Sequence, residues 1–264
     1  MPRHPRVIIP HVPLHITQRG VDRCATFITD EDFAFYLWAL RDASIGAGCA
    51  VHGYVLMTNH VHLLLTPADH LGPARLVRSL GRRYVRYFND RYRRTGTLWE
   101  GRYRSAVVDS VEYFFACSRY IETNPLRAGL VDDPGAYVWS SYHHNACGAD
   151  DPLVLPHPLY MALGNDRHGR CGAYRALFAA ELASSAMAAI RTVPRERPAL
   201  HATTYQQAVE AMHGSTSDTG IRVIPAGARS ESVDPGSGAS TGCAVVGHGA
   251  GTTGLMPLGE SRLR

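Results

Sequence analysis

The chain has 264 residues, enough for one domain and an extension, and its hydrophobic fraction of 45% is ordinary for a globular protein. No window approaches about 18 uninterrupted apolar residues, and the N-terminus lacks the apolar core of a signal peptide, so we expect a cytoplasmic protein. The six cysteines are scattered without a Cys-x-x-Cys pair, which argues against a disulfide framework or a cysteine zinc site. The net charge is +4, and all 27 basic residues are arginines.

The first half of the chain alternates between strand and helix patterns. Strands are predicted at residues 13–18, 49–56, 60–66 and 97–109, with a short hairpin between the second and third. Helices are predicted from Thr29 or Asp30 to before Gly46, from about 73 to 93, and from 110 to 123. The order βαββαβα predicts an α+β sandwich, in which helices cover one face of an antiparallel-rich sheet.

The composition changes toward the C-terminus. Residues 137–195 are predicted to form a helical extension, clearest over Ala173–Ile190, after a first domain at 1–136. Eleven of the 25 glycines fall in the last 64 residues, and few large apolar residues accompany them. We therefore expect residues 196–264 to be a disordered tail.

Two histidines, His60 and His62, occupy alternate positions on a predicted strand. Side chains two residues apart on a strand point from the same face, so the two imidazoles form half of a divalent-metal site. With 14 histidines in the chain, a pair at this spacing also arises by chance. The pair therefore needs support from elsewhere in the sequence.

A second candidate group ends the last predicted helix. Tyr120 and Asn124 are four residues apart, so they share a helix face, and the amide oxygen of Asn124 could complete a metal shell beside the Tyr120 hydroxyl. Either residue alone could equally be a core aromatic or a helix terminator. Tyr113, seven residues before Tyr120, is a rival nucleophile on the same face.

A third feature is a basic segment between residues 71 and 104. It comprises Arg91 and nine candidate nucleic-acid contacts: Arg75, Arg78, Arg82, Arg83, Arg86, Arg93, Arg94, Arg102 and Arg104. Only two acidic residues accompany these ten arginines, and tyrosines and a tryptophan are interleaved with them. Such a surface suits single-stranded nucleic acid, whose phosphates need positive charge and whose bases stack on aromatic rings.

The three features, in this order, resemble the single-tyrosine HUH transposases. The likeness rests on residues 16–20, 54–64, 98–103, 120–131 and 139–142 and covers roughly residues 1–190. Within that family the sequence is most similar to the REP-associated tyrosine transposases. Nothing beyond about residue 200 is recognised.

The resemblance implies a core like that of the RNA-recognition (ferredoxin-like) folds. It implies that His60, His62 and Asn124 hold Mg²⁺ or Mn²⁺ and that Tyr120 is the nucleophile. It also implies that a nucleoid-associated enzyme cuts and rejoins single-stranded DNA hairpins or palindromic repeats through a 5′-phosphotyrosine intermediate. Relatives act as monomers or homodimers, and both remain open.

Two other functions are compatible with these residues. A decayed or domesticated copy would bind single-stranded DNA hairpins without cutting them. A metal-dependent hydrolase would use water as the attacking group, with Tyr120 only structural. A covalent protein–DNA adduct would distinguish the transposase from both.

Overall fold

Four antiparallel strands form the centre of the structure. The computed structural model describes residues 6–179 and the isolated positions 190, 205 and 207. The strands are β1 (Leu14–Arg19), β2 (Cys49–Met57), β3 (His60–Pro67) and β4 (Arg104–Val107). They lie in the order β2-β3-β1-β4, so β3 and β1 are central. The predicted antiparallel sheet and the βαββαβα order are confirmed.

Three longer helices connect or follow these strands, namely α1 (Asp30–Ala47), α2 (Gly72–Tyr92) and α3 (Val111–Glu122). Four shorter helices follow: α4 (Asn124–Arg127), α5 (Tyr142–Asn145), α6 (Pro158–Met161) and α7 (Arg167–Ala176). Single 3₁₀ turns occur at Val21–Arg23 and Pro134–Ala136. None of the helices in the described part of the chain has the length and apolar character needed to cross a membrane.

Helix α1 begins with the predicted capping box. The side chain of Thr29 accepts from the N3 backbone, and the Asp32 carboxylate accepts from the Thr29 backbone N–H, which satisfies donors at the exposed start of the helix. The helix passes the predicted stop at Gly46 and ends at Ala47. Gly48 follows in the left-handed conformation, with φ of 62°, which favours glycine.

Helix α2 follows the predicted apolar stripe. Leu76, Leu80, Tyr84 and Phe88 recur at intervals of four and are all buried, whereas Tyr87 is half-buried. Fully buried Tyr84 packs with Tyr36 of α1 at 4.9 Å between ring centroids. These contacts join α1 and α2 into one layer.

Helices cover both faces of the sheet, which corrects the expectation of a single covered face. Gly72, at the start of α2, packs so closely that an added Cβ would lie 3.1 Å from Cys49 Sγ and 3.5 Å from Pro67 Cβ. By strand alternation, Pro67 lies on the face opposite His60 and His62. Helix α3 covers the histidine face, where Tyr120 meets His62.

The segment between α2 and α3 differs from the predicted strand at 97–109. Only Arg104–Val107 pair with β1, and Trp99 forms an isolated bridge with Gly20. Gly101 between them has φ of 65°, a conformation that interrupts an extended strand. The prediction was therefore correct in position and too long.

Residues after α4 extend the same core. Leu153, Val154 and Leu159 join the cluster of buried residues formed by the sheet and α1–α3. The cysteines within the described residues are free. Helix α7 overlaps the start of the helix expected at 173–190, while residues 180–189 and, apart from 205 and 207, the expected tail at 196–264 lie outside the described residues.

Candidate active site

The histidine face of the sheet lines a cavity of about 420 Å³. His62 on β3 pairs with Thr17 on β1, which in turn pairs with Arg104 on β4, so the three side chains form a row across three strands. His60 and His15 also line this cavity. The sheet register therefore gathers polar side chains from three strands in one cavity.

Tyr120 closes this cavity from α3. Ser110 caps the start of the helix, where its Oγ accepts a 3.1 Å hydrogen bond from the Tyr113 backbone N–H, and the helix buries Phe114, Cys117 and Ile121 against the core. The Tyr120 ring centroid lies 5.7 Å from that of His62. The predicted nucleophile and the predicted imidazole pair thus line one cavity.

Asn124 lies one helical turn beyond Tyr120 and lines the same cavity. It begins α4, directly before Pro125, which has no backbone N–H to continue the helix α3. The Asn124 side chain hydrogen-bonds with His60. The structure therefore brings together all three residues that the sequence predicts as metal ligands.

The imidazoles in this cavity are neutral near pH 7. Burial lowers the pKa of His60 to about 4, with the Arg19 charge acting in the same direction and the hydrogen bond with Asn124 acting against it. Burial, followed by the neighbouring His15 and His60, holds the pKa of His62 well below its usual value. A neutral imidazole keeps the lone pair that a metal requires.

The hydrogen bonds of Asn59 fix the tautomer of His60. Asn59 Nδ2 donates to the Arg23 carbonyl at 2.9 Å, so its Oδ1 faces His60 Nδ1, at 2.7 Å. An amide oxygen can only accept, so His60 Nδ1 carries the proton. With Nδ1 engaged as a donor, Nε2 is the His60 nitrogen left to face a metal.

The candidate donor set fits a divalent ion, although it provides only three protein ligands. Among the described residues, no cluster of three or more His, Cys, Asp or Glu side chains could hold a metal. The candidate site instead combines two imidazole nitrogens with the amide of Asn124, whose buried Nδ2 has no hydrogen-bond partner in the described part of the chain. Two nitrogens and one oxygen suit Mn²⁺ or another transition ion better than they suit Mg²⁺.

Arginines surround the mouth of the cavity. Arg102 and Arg104, both predicted as nucleic-acid contacts, line it together with Arg19. Arg19 was not predicted as a contact, since it belongs to no basic run and meets the site only through the pairing of β1 with β3. Three guanidinium groups beside a tyrosine hydroxyl are suited to binding a phosphodiester.

The remaining predicted contacts lie elsewhere. Arg75, Arg78, Arg82, Arg83 and Arg86 lie on α2, which packs on the opposite face of the sheet, and Arg93 and Arg94 follow it. None of these seven lines the cavity that contains Tyr120. Three of them form surface ion pairs, with Asp69, Asp42 and Asp90.

Tyr113, the rival nucleophile, is not among the residues that line the cavity. It is half-buried and packs against the core. Its position outside the cavity favours a packing role. Tyr120 is thus the tyrosine whose surroundings suit attack on a phosphodiester.

A buried carboxylate holds the C-terminal end of α3. Glu122 Oε1 accepts from Ser141 Oγ at 2.6 Å and Asn145 Nδ2 at 2.9 Å, and its Oε2 accepts from the Tyr174 hydroxyl at 2.8 Å. Burial raises the pKa of Glu122 to about 7, although these three hydrogen bonds oppose the shift. The network ties the helix that carries Tyr120 to the segment after residue 140.

Comparison with known proteins supports the resemblance noted in the sequence. Residues 13–124 match the family model described as "Transposase IS200 like". The matched segment runs from the residue before β1 to Asn124, so it includes both histidines and the tyrosine. No curated protein sequence matches the chain.

The chain also resembles a solved structure described as a REP-associated tyrosine transposase bound to a REP hairpin. The two chains are 16% identical, and the alignment covers 59% of this chain and 92% of the other, with a TM-score of 0.47.

Proposed function

We propose that the protein cuts and rejoins single-stranded DNA through a covalent bond to Tyr120, since residues 13–124 match the family model described as "Transposase IS200 like". The observation that carries the proposal is the shared cavity. Tyr120, His60, His62 and Asn124 line it together with three arginines. A nucleophile, a candidate metal site and a phosphate-binding surface thus border the same space.

The proposed step exchanges one phosphodiester for another. The Tyr120 Oη attacks phosphorus, the bond between phosphorus and the 3′ oxygen breaks, and the 5′ phosphate remains on the tyrosine. The phenol proton is lost and the departing 3′ oxygen gains a proton, leaving a free 3′-hydroxyl. Since one phosphodiester replaces another, a 3′-hydroxyl can reseal the strand without a nucleoside triphosphate.

The arginines at the mouth of the cavity bind the scissile phosphate in this proposal. Arg104 lies in the same row of side chains as His62, and Arg19 and Arg102 complete the positive surface. Guanidinium groups that are already oriented stabilise the charge that develops on the phosphate oxygens during attack.

His60, His62 and Asn124 would hold the divalent ion, Mg²⁺ or Mn²⁺, that this family resemblance implies. When bound, such an ion supplies Lewis-acid polarisation of the phosphate. The protein's own contribution is to present two neutral imidazoles with their Nδ1 atoms engaged. His60 Nδ1 contacts Asn59, and His62 Nδ1 contacts His15.

The proposed substrate is a single-stranded hairpin or palindromic repeat. A folded DNA strand offers an unpaired segment for the cavity and a phosphate-rich stem for a second surface. In this proposal the exposed arginines of α2, on the other side of the sheet, form that second surface. Their charge attracts the phosphates of the stem whatever its sequence.

Labelled single-stranded oligonucleotides from the DNA that flanks the gene, palindromes included, test this function. They are incubated with the full chain and Mn²⁺ or Mg²⁺ and separated on a denaturing gel. We expect a metal-dependent band of protein-linked DNA that disappears with EDTA and in Tyr120→Phe. Tyr113→Phe is the matched control, because it removes one hydroxyl from the same helix outside the cavity.

Each other outcome identifies a different function. Cleavage without an adduct, retained in Tyr120→Phe, would indicate a hydrolase that uses water. Binding of hairpins without cleavage would indicate a non-catalytic DNA-binding protein. Adducts that persist in Tyr120→Phe and vanish in Tyr113→Phe would identify Tyr113 as the nucleophile.

A further inference from the structure

His15 is the buried histidine that the functional proposal leaves without a role. It lies on β1 with 1% of its surface exposed. Its Nε2 is 2.8 Å from His62 Nδ1, and the two rings lie side by side and nearly coplanar, with centroids 5.1 Å apart and planes 17° apart. The hydrogen bond reaches the imidazole that is expected to bind metal.

The contact constrains which nitrogen of His62 can bind a metal. His62 Nδ1 is occupied by His15, so Nε2 is the nitrogen left for coordination. A neutral imidazole has one N–H and one lone pair. If Nε2 of His62 offers its lone pair, the proton must be on Nδ1, and His15 Nε2 must accept it.

The same arrangement occurs at the neighbouring ligand. His60 Nδ1 donates to Asn59 Oδ1, so Nε2 is the nitrogen left to face a metal. Hydrogen bonds of this kind to the second nitrogen of a ligating histidine orient the ring and raise its basicity. Asn59 and His15 therefore occupy equivalent positions behind the two candidate ligands.

We propose that His15 is a positioning residue that accepts a hydrogen bond from His62 Nδ1 and so holds the His62 Nε2 lone pair for the metal. This inference rests on the proposed function, since it requires His60 and His62 to bind a divalent ion. It also places the remaining proton of His15 on Nδ1. That atom has no hydrogen-bond partner within the described residues.

Mn²⁺ affinity of the full chain tests the proposal without any measurement of DNA cleavage. Free Mn²⁺ is followed by electron paramagnetic resonance during titration with MnCl₂. We expect His15→Leu, which removes the acceptor, to weaken Mn²⁺ binding by about 10- to 100-fold. His15→Gln keeps an oxygen that can accept, and we expect it to recover most of the affinity.

His52→Leu is the matched control for loss of a buried histidine. His52 lies on β2 and contacts the Leu155 carbonyl at 2.7 Å and Thr66 Oγ1 at 2.8 Å. Its removal should lower the melting temperature and leave Mn²⁺ affinity within about twofold of the unmodified protein. An equal loss of affinity in His52→Leu and His15→Leu would overturn the positioning role.

The outcomes separate the inference from the function on which it rests. Mn²⁺ binding that is lost in His62→Ala and unchanged in His15→Leu would overturn the inference and leave the metal site intact. Mn²⁺ binding that is absent from the unmodified protein would overturn both.

A second measurement does not depend on variants that fold. Nitrogen-15 spectra of histidine-labelled, Mg²⁺-saturated protein report which nitrogen of each imidazole carries a proton. We expect His62 to be protonated on Nδ1. A proton on His62 Nε2 in the metal-saturated protein would overturn the proposal.

Discussion

The guanidinium carbon of Arg127 lies 3.8 Å from the centroid of the Tyr120 ring, and Arg127 Nη2 donates a 3.0 Å hydrogen bond to the Tyr120 carbonyl. The two contacts come from one side chain and reach both the ring and the backbone of the same residue. Since Arg127 belongs to α4, it connects the two helices that carry Tyr120 and Asn124. Its effect is to hold the tyrosine ring in one orientation beside the histidines.

Replacement of Arg127 by Ala should slow formation of the tyrosine–DNA adduct. The cation–π interaction and the hydrogen bond, together worth roughly 1–3 kcal/mol, correspond to a decrease of about 5- to 150-fold when both are removed. Single-turnover kinetics at saturating DNA measure this rate. Arg127→Lys keeps a cation without the planar fork and should show an intermediate rate. Equal rates in Arg127→Ala and the unmodified protein would contradict the orienting role.

Two arginine pairs should differ in how they affect DNA. Arg102→Ala with Arg104→Ala, and Arg78→Ala with Arg82→Ala, each remove two positive charges, one pair at the cavity and one on α2. Both double substitutions should weaken DNA binding. They should also make the slope of log K against log salt concentration less steep, by about 0.7 for each phosphate that is no longer neutralised. We expect slower adduct formation at saturating DNA for the cavity pair. For the α2 pair, the rate of adduct formation should return to that of the unmodified protein as the DNA concentration rises.

The binding isotherms and the adduct rates are measured on the same oligonucleotide. A rate defect in the α2 pair that persists at saturation would indicate that the two surfaces do not act separately. Unchanged binding in the α2 pair would show instead that this helix face is only solvated.

Glu122→Gln should change how stability depends on pH. Burial raises the pKa of Glu122 to about 7, above its usual value, so the folded chain holds this proton more tightly than the unfolded chain does. The stabilisation is complete below the unfolded pKa of roughly 4.3 and is lost as pH rises to about 7, by roughly 3 kcal/mol. Glutamine cannot ionise. The melting temperature of Glu122→Gln relative to the unmodified protein should therefore rise between pH 5 and pH 8, and a constant difference would contradict this.

Asp32→Ala should destabilise the fold. The Asp32 carboxylate accepts from the backbone N–H groups of Ile28 and Thr29 and from the Tyr87 and Tyr92 hydroxyls, which joins the start of α1 to α2. Burial acts to raise its pKa, but these hydrogen bonds outweigh burial and the pKa lies below its usual value. We expect a decrease of about 3 kcal/mol in the free energy of unfolding, measured in urea at pH 7.

Asp30→Ala is the matched control for that measurement. Asp30 is exposed in the same first turn of α1, where its negative charge interacts favourably with the helix N-terminus. Replacement of Asp30 should change the free energy of unfolding by at most about 1 kcal/mol. Similar decreases in both variants would indicate that charge, not the hydrogen-bond network, stabilises this turn.

Local patterns predicted β1, β2, β3, α1 and α2 because each element is encoded by its own periodicity. The capping box at Thr29 and the alternation through His60 and His62 require no knowledge of distant residues. The covering of both sheet faces was also encoded. Leu63, Leu64 and Leu65 are consecutive and fully buried, which occurs when a strand is covered on both sides.

The rest of the site depends on register between strands. Neither His15 nor Arg19 has a spacing that marks it as a site residue, because each joins the site only through the pairing of β1 with β3. The arginines of α2 illustrate the converse. Their spacing predicted a basic helix correctly, but helical periodicity does not indicate which side of the sheet the helix covers. Charge density alone therefore could not divide the arginines between the cavity and the opposite face.

The Glu122 network sets a minimum length for useful fragments of this protein. The segment that matches the family ends at Asn124, whereas the three groups that hydrogen-bond to the buried carboxylate lie at Ser141, Asn145 and Tyr174. A fragment cut at residue 124 or 136 would leave Glu122 without these donors and uncover Phe115 of α3, which packs against a cluster that includes Tyr142 and Tyr174. The smallest fragment worth expressing for crystallisation or for grafting the catalytic helix therefore extends past Tyr174.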